Sequence, residues 1–159
     1  MNRKNRWILY VSFGAYVLLM FWLLFGQRMQ AYLSSAGTEN FWNDYFTQKI
    51  NLIPLRTISE FWNDLHGGGR SHAFINLAGN VIMFVPLGFF IPCVFPKADA
   101  FRRSMLYALI IILSIEIIQL ATLLGSLDID DVLLNMIGAV IGYGIFMMLN
   151  RKKRFSKDR

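Results

Sequence analysis

Glu116 and Gln119 stand three residues apart in a run that is otherwise apolar over most of residues 104–124. Asp128, Asp131 and Asn135 follow at steps of three and four, and Gly138 and Gly142 continue the same steps. Asn76 and Asn80, four apart, interrupt another apolar run. At helical periodicity each set occupies one face of a helix. Carboxylates with amide neighbours suit two kinds of chemistry. They can move protons on a bound headgroup, or hold a hard divalent cation such as Mg²⁺ or Ca²⁺. No Ser-His-Asp set, His-Glu-x-x-His motif or phosphate-cradling loop accompanies them. A structural role competes at every position. Amide side chains tie helices together for roughly 0.6–2 kcal/mol each, and glycines let helices approach closely. Asp128 can cap a helix whose positive end also favours Asp130 and Asp131.

The elements that carry these residues read as membrane spans. The chain has 159 residues, of which 55% are hydrophobic and only 16% charged. Soluble domains carry about 25% charged residues, so most of this surface must face something other than water. Four apolar stretches cover residues 7–25, 73–95, 104–124 and 132–149. Each is near the ~20 residues that a helix needs to cross a bilayer. The first resembles a signal sequence in following Arg3, Lys4 and Arg6, but its apolar run is long and no small-x-small cleavage site follows. It is expected to remain as a helix. The expected fold class is therefore all-α, a polytopic membrane protein with four transmembrane helices and short amphipathic interfacial helices in the outer segment. Residues 1–159 form one domain, with an outer segment at 26–72 and a basic tail at 150–159. Cys93, the single cysteine, forms no internal disulfide and reads as a small apolar residue.

Charge placement gives the orientation. Arg3, Lys4 and Arg6 precede the first span, and Lys97, Arg102 and Arg103 lie between the second and third. Arg151, Lys152, Lys153, Arg154, Lys157 and Arg159 follow the fourth. Only Arg28, Lys49, Arg56 and Arg70 fall on the other side. The positive-inside rule then puts both termini in the cytoplasm. The net charge of +6 is thus accounted for by topology, with no nucleic-acid partner implied. In the outer segment, Phe41, Trp42, Tyr45 and Phe46 share a helical face, as do Ile58, Phe61, Trp62 and Leu65. Two short helices lying in the outer interface fit this pattern. His66 and His72 flank Gly67, Gly68 and Gly69 and read as a loop, since their spacing fixes no metal geometry. With this topology Asn76, Asn80, Glu116, Gln119, Asp128, Asp131 and Asn135 all fall in the outer halves of their helices. Asn51 and Arg56 lie on the same side. Buried polar groups are costly in hydrocarbon, so their convergence at one depth marks a candidate site open to the outer face.

Four segments carry a family resemblance. Asn51-Leu52-Ile53-Pro54-Leu55, Asn80-Val81-Ile82-Met83-Phe84-Val85-Pro86-Leu87-Gly88 and Ser114-Ile115-Glu116-Ile117-Ile118-Gln119 are three of them. The fourth runs from Asp128 to Gly138. Together, over residues 50–146, they resemble the VanZ-like family; Leu55 departs from the aromatic residue usual there. The resemblance implies a bacterial membrane protein of the type linked to resistance against teicoplanin, a lipoglycopeptide. Its motif positions are Asn51, Pro54, Asn80, Pro86, Gly88, Glu116, Gln119, Asp128, Asp131, Asn135 and Gly138. Two functions fit. One is a non-catalytic protein at the outer leaflet of the bacterial cytoplasmic membrane, which binds or shields a lipid-linked cell-wall precursor or the drug. The other is an enzyme modifying an envelope lipid or glycan, with Glu116 and Asp128 or Asp131 as acid and base or as metal ligands. No cofactor is expected beyond a divalent cation at the acidic cluster. Membrane lipids are the expected surroundings.

Overall fold

A computed structural model describes residues 3–26, 29, 50–56, 59, 72–98, 100–122 and 124–155. Helix α1 spans Arg3–Phe21 and continues as a π-helical turn over Trp22–Gly26. Strand β1 is Ile50–Asn51. Helix α2 is His72–Val94, α3 is Phe101–Ala121, strand β2 is Leu127–Asp128, and α4 is Ile129–Phe155. All four helices are long and apolar enough to cross a membrane, over Arg6–Gly26, Leu77–Val94, Phe101–Ala121 and Ile129–Asn150. The chain is an all-α, multi-pass membrane protein. Helices α3 and α4 each begin three residues earlier than the apolar stretches predict. Arg102, Arg103, Asp130 and Asp131 are taken into first turns, where long or capping polar side chains at a helix end still reach polar surroundings. The two amphipathic helices expected over 41–46 and 58–65, and the glycine tract, lie outside the described residues.

The outside differs from that of a soluble bundle, because large apolar side chains cover it. On α3, Leu106, Ile110, Leu113 and Ile117 are exposed, while Ser104, Ala108, Ile112, Glu116 and Gln119 are buried along the opposite face. Apolar residues outward, with the polar residues kept inside among small and apolar ones, is the arrangement a bilayer imposes. Ser114, on the outward side, returns its hydroxyl to the Ile110 carbonyl at 2.7 Å, so this donor is satisfied within its own helix.

Glycines set the tightest contact, between α2 and α4. A Cβ built on Gly138 would overlap the Val81 carbonyl, one on Gly142 the Val85 carbonyl, and one on Gly88 the Ala139 carbonyl. Two glycines four apart on α4 thus receive two carbonyls four apart on α2. The contacts advance in the same direction along both chains, so α2 and α4 run parallel. Such close backbone approach is how small residues drive helix association where water cannot. Helix α3 runs antiparallel to α4: Phe101 at its start meets Tyr143 near the far end of α4, with ring centroids 5.3 Å apart. Pro86 and Pro92 both lie inside α2, which continues through them. Pro86 cannot serve the Ile82 carbonyl. At the neighbouring Met83 carbonyl, Tyr16 of α1 donates its hydroxyl at 3.0 Å, and the Tyr16 ring stacks on Phe90 at 5.9 Å. This contact docks α1.

Candidate functional site

The site is assembled at the end of the bundle where α3 finishes and α4 begins. A feature absent from the sequence reading organises it: β1 and β2 form a two-residue parallel ladder, with Ile50 opposite Leu127 and Asn51 opposite Asp128. The ladder brings the Asn51–Arg56 segment onto the start of α4. Asn51 Nδ2 then donates to Asp128 Oδ1 at 3.1 Å. The same carboxylate oxygen accepts the Asp130 backbone N–H at 2.9 Å, which makes Asp128 the cap of α4. Asn51 Oδ1 accepts the Ile53 N–H at 3.3 Å and turns the chain toward Pro54.

Leu55 follows with φ 66°, a left-handed conformation that a branched side chain seldom takes. Its N–H donates to Asp130 Oδ1 at 2.6 Å, and Asp130 itself is fully buried. Asp130 falls off the 128–131–135 stripe, so stripe reasoning passes over it. Only the fold shows that it fixes the loop. One turn on, Asn80 Nδ2 of α2 donates to Asp131 Oδ1 and ties α2 to the start of α4. All three aspartates therefore accept hydrogen bonds at the favourable end of the helix dipole.

Below this acidic layer lies an amide layer. Gln119 is 2% exposed, Asn135 3% and Glu116 3%. Gln119 sits in the last turn of α3, whose end is closed by Leu124 and Gly125 donating to the Gln119 carbonyl at 3.0 and 3.1 Å. Gln119 Nε2 and Asn135 Oδ1 are buried with no hydrogen-bond partner. Of the residues singled out from the sequence, Asn51 and Asp128 form one hydrogen-bonded pair and Asn80 and Asp131 another, both at the start of α4. Glu116 and Gln119 on α3 and Asn135 on α4 are buried. Arg56 is exposed on the loop at the same end. Asn76 lies in the early part of α2, and its side chain is outside the described residues. Among the described residues, no group of three or more His, Cys, Asp or Glu is arranged to hold a metal ion.

Three comparisons bear on this architecture. The profile of the VanZ/LLP1 family matches residues 13–150. Protein VanZ of Enterococcus faecium is 25% identical over 136 residues, which cover 86% of this chain and 71% of that protein. No solved structure matches. Four spans, the ordered motif segments at one end of the bundle and a family match across most of its length agree: the chain belongs to the VanZ/LLP1 family of glycopeptide-resistance-associated membrane proteins.

Proposed function

We propose that this protein works at the outer leaflet of a bacterial cytoplasmic membrane, with both termini cytoplasmic and the β1–β2 end facing outward. It lowers sensitivity to teicoplanin-type lipoglycopeptides by binding or shielding a lipid-linked envelope component. The observation that carries this reading is the convergence of polar side chains from the 50–56 loop, α2, α3 and α4 at one end of the bundle. Positive charge on the opposite connections supports the orientation.

The hydrogen bonds of the acidic layer favour binding over catalysis. Asp128 caps α4 and clamps Asn51, Asp130 holds Leu55, and Asp131 holds Asn80. In each carboxylate Oδ1 is engaged by a backbone N–H, an asparagine amide or both. A general acid or base must instead present its oxygen to a substrate proton. The test is growth inhibition by teicoplanin and by vancomycin in a susceptible Gram-positive host expressing the wild type or Glu116→Gln at matched membrane levels. Selective protection against teicoplanin that Glu116→Gln partly retains is the expected outcome. Complete loss in Glu116→Gln would favour the enzyme, and no protection by the wild type would remove the resistance reading.

A further inference from the structure

The two layers at the site differ in how well their polar atoms are satisfied, and the difference separates scaffold from ligand contact. In the acidic layer each aspartate has a donor within the chain. In the amide layer Gln119 Nε2 and Asn135 Oδ1, on residues 2% and 3% exposed, have none. A buried polar atom without a partner costs about 1–3 kcal/mol, so a fold gains by replacing it with an apolar isostere. Two such atoms, one in the last turn of α3 and one in the second turn of α4, oppose stability rather than serve it. Their chemistry is also complementary, because Gln119 Nε2 donates and Asn135 Oδ1 accepts.

We infer that Gln119 and Asn135 form the contact layer for an uncharged hydroxyl- or amide-bearing group, such as a sugar headgroup, entering at the α3–α4 end. An anion would satisfy only the Gln119 donor and would meet the carboxylates of Asp128 and Asp131 on its way. A cation would leave the Gln119 donor unanswered. A hydroxyl or an amide both donates and accepts, and so answers both residues. This assignment rests on the reading of this end as the binding end, and it goes further in naming the ligand chemistry and relegating the aspartates to positioning.

The experiment uses the full chain reconstituted in phosphatidylcholine vesicles, as wild type, Gln119→Leu and Asn135→Leu, with thermal unfolding as the readout. Both variants are expected to unfold at or above the wild-type temperature in phosphatidylcholine alone. Glucosyl diacylglycerol added to the vesicles is expected to raise the wild-type midpoint and to leave both variants unmoved. Soluble methyl glucoside, in a parallel arm, distinguishes a free sugar from a lipid headgroup as the source of the hydroxyls. Loss of stability in both variants would show that the amides have structural partners, and would overturn the inference. So would the absence of a wild-type shift with either sugar, or a shift that persists in the variants. None of these readings depends on drug protection. A sugar-dependent shift without protection in the growth assay would refute the resistance reading alone.

Discussion

At the residue scale, the surprising member is Asp130. Asp128 and Asp131 stand on the polar stripe of α4, yet Asp130 is the one that is fully buried and fixes the strained loop. Asp130→Ala removes the acceptor of the Leu55 N–H and should lower stability by about 1–3 kcal/mol, read as an earlier thermal unfolding of the reconstituted protein. Asp130→Asn keeps an acceptor oxygen and should recover most of that loss. Leu55 supplies the complementary test. A left-handed conformation costs an L-residue roughly 1–2 kcal/mol, and glycine is free of that cost. Leu55→Gly should therefore raise stability by up to about 1 kcal/mol after glycine's own entropy cost, read as a higher unfolding midpoint. A midpoint that falls would mean that the exposed leucine side chain makes a contact worth more than the strain.

The helices meet by a different logic from a water-soluble bundle. No difference in hydrophobicity holds α2 to α4, since lipid is as apolar as their side chains. Close backbone approach does, and it depends on hydrogen atoms at Gly138, Gly142 and Gly88 where other residues carry Cβ. Gly142→Val should push α2 and α4 apart at a cost of roughly 1–3 kcal/mol, visible as a lower unfolding temperature. It should also pull Asn80 from Asp131. Gly144, on the same helix but with nothing near its missing Cβ, should accept alanine without loss. Equal effects at the two positions would mean that the cost is intrinsic to the helix and not to the α2–α4 contact.

For the whole molecule, α2 and α4 packed directly and parallel, with α3 antiparallel to both, place the β1–β2 ladder and the basic connection after α2 at opposite ends. The proposed orientation predicts cysteine accessibility in intact cells. In a Cys93→Ser background, Leu52→Cys should react with a membrane-impermeant maleimide. Lys97→Cys should react only after the membrane is opened. The reverse pattern would invert the topology and turn the polar end toward the cytoplasm.

The number of spans, their apolar exposed sides and the gathering of polar residues at one end of the bundle were legible along the chain, because hydropathy and the helical period are local properties. The stripe Asp128, Asp131, Asn135, Gly138 and Gly142 is a true face of α4, and the capping role open to Asp128 is the one it takes. What tertiary structure alone decided is which polar atom answers which. Asn51 meets Asp128 across 77 residues, Leu55 meets Asp130 across 75, and Asn80 meets Asp131 across 51. A two-residue ladder has too little length for a pattern, and a backbone N–H leaves no mark on residue type. Hydrogen-bond satisfaction depends on distances of a few tenths of an ångström between segments remote in sequence. Sequence could therefore bring the aspartates and amides to one end of the bundle, whereas only the packed helices separate satisfied aspartates from the unpartnered atoms of Gln119 and Asn135.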